Sequence, residues 1–262
     1  MYALERIMRD SAKDHATVVE VLAVFIRGKA DLAADDSLPS GEPRARSSRE
    51  PIQAALTVLG RRPEREEPFE INLRRTNLQG FDLRFGRFDG VNFTEARVDG
   101  ADLHGIHLTN ATLIRTHFDK ADLTSARLGW SDLTEAHLRE ADLAQAGFDG
   151  EARLFRAHLE GADLPRANLD YAALHEANFE GASFVKASLR GAVLREAELR
   201  GADFYHTQLD EADLTSADMI PAKRLTVEQL LSARYIAGAA VPREFRDHPD
   251  LQERLNDEVE AS

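Results

Sequence analysis

Asp82, Asp102, Asp122 and Asp142 stand twenty residues apart; Asp163, Ser183 and Asp203 continue the series after one step of twenty-one across Glu151. His117, His137 and His158 keep the same spacing with the same slip, and Trp130 and Tyr171 lie two such steps apart. A chain that returned to one place every twenty residues would turn each set into a column. A column of carboxylates has two readings. Each Asp accepts hydrogen bonds from nearby corner amides, as short Asx side chains do, or the carboxylates together face a cationic groove in imitation of a phosphate backbone. Unpaired carboxylates stacked at about 5 Å repel one another, which favours the first. Three imidazoles in a row could bind a metal or titrate near pH 6.5. Side chains splayed in parallel from successive rungs do not converge on a tetrahedral site, so a solvated ladder and no metal are expected. Trp130 and Tyr171 flank Gly150 and the extra residue Glu151. They either pack incidentally on the surface or mark a partner contact, since aromatics concentrate at interface centres and an insertion re-aims the local surface.

The rest of the composition removes chemistry rather than adding it. The 262 residues include no Cys, which excludes disulfides, zinc–thiolate sites and thiol nucleophiles. There is no Gly-rich phosphate loop, no GxSxG and no HExxH. Carboxylate pairs fall on convex faces without a pocket to perturb them. A non-enzymatic protein without cofactor is expected. Lys and Arg number 33 against 46 Asp and Glu, a net charge of −13, which disfavours direct contact with a nucleic-acid backbone. No apolar run approaches the ~20 residues of a membrane span, and the N-terminus lacks a signal peptide's features. A cytoplasmic protein is the expectation.

The columns require an element that repeats. From Leu73 to Phe148 a large apolar residue returns every fifth position; after Glu151 the count resumes from Leu154 to Met219. Two places before these centres a small residue is usual, Ala at 13 of 14 in the second run and 8 of 16 in the first, so the typical unit reads A-D/N-L-x-x, as at 101–103, 121–123, 141–143 and 162–164. Five matches neither the helical nor the strand period. It fits a short extended piece followed by a corner, with the centre and the residue two before it both pointing inward. Gly is frequent in the last place of the unit, a corner where its tolerance of positive φ helps.

This repeat resembles the pentapeptide-repeat proteins over residues 71–221. The resemblance implies an all-β solenoid, a right-handed quadrilateral β-helix with four units per coil. Thirty units then make about 7.5 coils and a length of about 36 Å. It also implies a partner, because some members imitate DNA, bind DNA gyrase or topoisomerase IV, and inhibit or protect them.

The flanks are helical by pattern. Residues 1–27 form an N-terminal helical segment, starting its second half at Asp14 or Thr17 and burying Val18, Leu22, Phe25 and Ile26 either on the solenoid or on another chain. Its DSAKDHATVVEVLAVFIR stretch resembles a segment of longer bacterial pentapeptide-repeat proteins, in which membrane helices can precede it. Residues 28–49 read as a linker. Residues 50–70 hold a capping helix at 51–59, with Pro51 at its first position, and a lead-in. In 222–262, Thr226 and Gln229 form a capping box for a helix carrying Leu230 and Leu231 and ending near Gly238; a second helix from Pro249 aligns Leu251, Leu255 and Val259. Terminal helices of this kind could mediate a homodimer.

Summed over the coils, the face centred on Leu73 carries no net charge, the Leu78 and Leu83 faces −3 each and the Phe88 face −2. The expected function is therefore a scaffold whose rigid acidic surface engages a protein, in the alternative DNA gyrase or topoisomerase IV. The candidate partner-binding residues are Asp82, Asp102, Asp122, Asp142, Asp163, Asp203, Trp130, Tyr171 and Glu151.

Overall fold

The computed structural model describes residues 2–32, 46–65 and 67–256. Its helices are α1 Tyr2–Asp10, α2 Ala12–Lys29, α3 Arg46–Gly60, α4 Val227–Ser232, α5 Arg243–Arg246 and α6 Pro249–Asn256. Between α3 and α4 the chain winds as a β-solenoid. Each five-residue unit contributes one bridged residue, and parallel bridges join residues twenty apart, as in Asn72–Asn92, Asn77–Arg97, Asp82–Asp102 and Arg87–His107. Across Glu151 the step becomes twenty-one, as in Asp142–Asp163, and then returns to twenty. The extra residue is absorbed in one corner and every column continues past it.

The local logic repeats at each unit. The centre and the residue two before it are buried, as Leu143 with Ala141 and Leu164 with Ala162. Where a hydroxyl replaces the small Ala, it donates to a backbone carbonyl: Thr116 to Phe93 and Thr207 to Phe184, both at 2.8 Å. The corner is a β-turn in which the next unit's first amide donates to the centre's carbonyl, as Phe81 to Leu78 at 3.2 Å. Its last residue takes positive φ whatever its type, from Gly100 (60°) to Arg75 (55°), Trp130 (54°) and Tyr171 (61°). Glycine is therefore not a requirement of the corner; the repeat imposes left-handed backbone on charged and aromatic residues alike.

An open first coil would expose unpaired strand edges. The flank supplies a partner on each of the four sides. Arg27 donates to the Asn72 carbonyl at 3.1 Å, and the Asn77 amide donates to the Ala30 carbonyl at 2.6 Å. Gln53 takes both groups of Asp82, accepting from its amide at 3.0 Å and donating to its carbonyl at 2.6 Å. The Arg87 amide donates to Gly60 at 2.8 Å, and the buried Arg62 donates to the Arg87 carbonyl. Arg62 is itself held by Glu67, whose carboxylate also meets His15 of α2 at 2.9 Å.

These contacts revise three boundaries read from sequence. α2 starts at Ala12 because Ser11 accepts from the Asp14 amide, not at Asp14 or Thr17. Its stripe lies against α1 and α3 within the same chain, and Asp31 bridges Thr76, so the 28–49 tether begins later than composition suggested; residues 33–45 lie outside the described residues. α3 begins at Arg46, ahead of Pro51, with Arg49 reaching the carbonyls of Gln79 and Gly80.

At the other end Thr226 and Gln229 form the capping box, but the helix stops at Ser232 rather than near Gly238. Tyr235 bridges Asp213, Ala240 bridges Asp218, and Gly238 sits at a positive-φ corner of 67°. The reason lies in the spacing of the buried Ile236 and Val241, five apart, which returns the chain to the solenoid after the helical detour. α6 buries Leu251 and fixes Leu255; Val259 lies outside the described residues.

Every inward column is packed without solvent, so cavities there are costly. Leu143→Ala is expected to destabilise by about 2–5 kcal/mol, whereas Gln145→Ala on the adjacent surface stays within about 0.5 kcal/mol; urea denaturation followed by circular dichroism measures both.

Candidate partner-binding surface

The Asp column lies on one bridged stack, running Asp82, Asp102, Asp122, Asp142, Asp163, Ser183, Asp203 and Lys223. Each Asp precedes the buried centre, which sets its side chain outward at the entrance of the corner. There Oδ1 accepts the amide two residues on: Arg84 to Asp82 at 3.1 Å, His104 to Asp102 at 3.3 Å, Thr124 to Asp122 and Ala144 to Asp142 at 2.9 Å, and Tyr205 to Asp203 at 3.1 Å. Asn72, Asn92 and Asn178 do the same elsewhere, so the D/N preference at this place follows from the turn. Asp163 departs from the pattern, because the residue two on is Pro165, which has no amide to donate.

Charge along this column is uneven. At one end Arg84 pairs with both Asp82, at 2.7 Å, and Asp102, at 3.2 Å; at the other Arg224 pairs with Asp203. The Arg84 hydrogen bond holds the Asp82 carboxyl below the usual range. The three central carboxylates, Asp122, Asp142 and Asp163, form no ion pair among the described residues. Neither Arg84 nor Arg224 figured in the sequence reading; Arg84 stands in a corner place beside the Asp column, whereas Arg224 falls in register with the buried centre Phe204 and turns outward on left-handed backbone (φ 54°), so the register alone would have found only the first.

The neutral Leu73 face is neutral by pairing. Its corner column alternates Arg75, Glu95, Arg115, Glu135, Arg156 and Glu176, with contacts of 3.9 Å for Arg75–Glu95, 2.6 Å for Arg115–Glu135 and 2.7 Å for Arg156–Glu176. The Arg115 bond holds the Glu135 carboxyl low and the Arg115 guanidinium high. Surface pairs like these contribute little stability each. They nonetheless remove free charge from this side of the solenoid.

His117, His137 and His158 stack face to face, with ring centroids 4.4 and 4.8 Å apart and planes within 7° and 16°. Among the described residues no group of His, Asp and Glu is placed to hold a metal ion. Burial, and then the two neighbouring imidazoles, push His137 below its usual value.

Trp130, Gly150, Tyr171 and Gly191 occupy one corner column. A Cβ on Gly150 would collide with the Trp130 ring, and one on Gly191 would stand 2.6 Å from Tyr171. Each ring thus lies flat on the glycine of the next coil. Phe85 lies on Gly105 in the same way, at 2.7 Å, on another corner. Sequence reading placed Trp130 and Tyr171 in one column but missed this cause, although the aromatic-then-glycine step of twenty is visible at all three places. Glu151, exposed and at φ 67°, follows Gly150 in the widened corner.

The match to a family model agrees with this architecture. Eight copies of the pentapeptide repeat match residues 71–219 in overlapping segments. The chain belongs to the pentapeptide-repeat family. Among solved structures it is similar to HetL, a pentapeptide repeat protein involved in heterocyst differentiation regulation in the cyanobacterium Nostoc, at 31% identity over 64% of this chain and 84% of that one, TM-score 0.29. It is also similar to QnrB1, a plasmid-mediated fluoroquinolone resistance protein, at 18% identity over 71% of this chain and 97% of that one, TM-score 0.32. A pentapeptide repeat protein of the Arabidopsis thaliana thylakoid lumen is 18% identical over 59% of this chain and 72% of that one, TM-score 0.20. No curated protein sequence matches the chain. Among the described residues no helix is long and apolar enough to cross a membrane.

Two outcomes follow from this geometry. Asp122→Asn keeps an oxygen for the Thr124 amide and should leave stability unchanged, while Asp122→Ala loses about 1 kcal/mol; thermal denaturation separates them. His137 binds its proton less readily folded than unfolded, so stability should fall as pH drops below its ordinary 6.5. The melting temperature between pH 7.5 and 5.5 should decline, and His137→Asn should flatten that decline.

Proposed function

We propose that this protein is a non-enzymatic scaffold that binds a protein partner through the acidic side of a right-handed solenoid of about 7.5 coils. The observation that carries the reading is the central stretch of the Asp column. Asp122, Asp142 and Asp163 project from consecutive bridged rungs, and no in-chain cation neutralises them among the described residues. Their spacing is fixed by backbone hydrogen bonds, so a partner meets a preformed row of charge without ordering cost. Complementary charge also speeds encounter and excludes acidic competitors. The chain's net charge of −13 adds to the same field.

A second reading makes the partner DNA gyrase or topoisomerase IV. The row of carboxylates at rung spacing supports it, since a surface shaped for the phosphate backbone would accept such a row, and the family resemblance implies it. Resistance to a topoisomerase poison, or self-protection, would be the consequence. The alternating Arg–Glu column weighs against extending this reading to the whole solenoid, because that side presents no net charge.

One experiment addresses both. The triple variant Asp122→Asn, Asp142→Asn, Asp163→Asn keeps a turn acceptor at 122 and 142 and removes no turn bond at 163, so it should fold as the wild type does and lose the partners that the wild type captures from lysate. Unchanged capture would sink the scaffold reading as stated. In a gyrase supercoiling assay, with and without a fluoroquinolone, inhibition or protection by wild type and not by the variant would select the second reading; no effect at large excess would remove it.

A further inference from the structure

Surface rings of this molecule are commonly occupied by its own cations. Arg156 lies over Phe155 at 4.5 Å, Arg224 over Tyr205 at 4.7 Å and Arg234 over Tyr235 at 5.2 Å. Phe85 packs T-shaped against His104, with ring centroids 5.1 Å apart. Trp130 and Tyr171 are 58% and 61% exposed, and among the described residues no guanidinium or imidazole lies on either. Both rings are pinned on one face by a glycine of the next coil, Gly150 or Gly191. The other face is free and already oriented, so a ligand cation need not order it.

Counter-charge surrounds the pair. Asp149 and Glu151 flank Gly150, both exposed and in no ion pair among the described residues. The Asp149 carboxylate lies beside Gly129, next to Trp130. Asp170 precedes Tyr171 and is fixed by accepting the Arg190 amide at 3.0 Å and the Ser188 hydroxyl. The combination of a free aromatic face and an adjacent carboxylate selects a guanidinium or ammonium.

We propose that the Trp130–Tyr171 corner docks a basic protein segment, one cation on each ring, with Asp149, Glu151 and Asp170 supplying the opposing charge. This rests on the scaffold reading and narrows it to one corner and one partner chemistry. The rings belong to rungs two coils apart, about 9.6 Å at ordinary strand spacing. A polyproline-II segment returns a side chain to the same side every three residues, about 9.3 Å along its axis. Arg-x-x-Arg in that conformation matches the two seats.

The sole tryptophan of the chain is one of the seats, so its emission reads the site directly. Acetyl-Gly-Arg-Pro-Pro-Arg-Gly-amide titrated into the full-length protein should change Trp130 fluorescence saturably at low-millimolar concentration, and the Glu-for-Arg peptide should not. Tyr171→Ala should weaken binding roughly two- to five-fold, Tyr171→Phe should restore it, and added salt should weaken it further. Absence of a saturable change, equal response to the Glu peptide, or indifference to Tyr171→Ala would each overturn the inference, as would the same response to a single-stranded oligonucleotide. Peptide binding lost in the Asp122/Asp142/Asp163 triple variant but kept in Tyr171→Ala would assign docking to the Asp column. The corner would then fail while the scaffold reading stood.

Discussion

Everything in this molecule depends on two side chains per unit pointing inward beside each other, a large one at the centre and a small one two places before. Burial of that pair on every side fixes the rung, and the rung fixes the corner. The corner demands left-handed backbone, which costs a non-glycine residue about 1–2 kcal/mol. Residues such as Arg75, Glu95 and Lys186 nevertheless adopt it. Inter-coil hydrogen bonds and the packed interior over-determine the conformation, so corner identity is released from backbone constraint. Three of the five positions are thereby free to carry surface chemistry.

That freedom is used differently on different sides. On the Leu73 face, Arg and Glu alternate down a corner column and cancel. On the opposite side, among the described residues the Asp column is neutralised only at its ends, by Arg84 and Arg224. In Asp122 and Asp142 the Oδ1 that satisfies a turn amide belongs to a carboxylate that no cation pairs with among the described residues. The structural and the binding readings of an Asp ladder are therefore compatible within one residue. The glycines of the Trp130 column serve a related end, since the missing side chain makes room for a ring to lie flat.

A solenoid of this kind would present unpaired rungs at its start, and the flanking helices act as the missing coil. They do so with mixed chemistry. Ala30 and Gly60 offer carbonyls, while Gln53, Arg27 and Arg62 reach in with side chains. The His15–Glu67–Arg62 contact ties α2 to this arrangement through a partly buried carboxylate. The first coil is thus closed by the chain's own N-terminal segment.

The recurrence of Leu and Phe at fives, with Ala two before, determined the rung, because side-chain direction in a regular repeat dictates it; that four rungs make a coil, and so which residues share a column, came from the sequence's resemblance to the pentapeptide-repeat proteins. It placed Asp122 over Asp142 and Trp130 in line with Tyr171 without any structure. Tertiary structure alone decided where the α2 stripe is buried, since amphipathicity demands a cover but does not name it. It also decided that Ile236 and Val241 rejoin the solenoid, a two-unit signal too short to stand out after α4. Most of all it decided which charges and rings are already satisfied. Arg84 spans two rungs and Arg224 reaches back to Asp203, while Asp163 and Trp130 are left to solvent; such choices depend on side-chain reach across coils, which a column register lists but cannot rank.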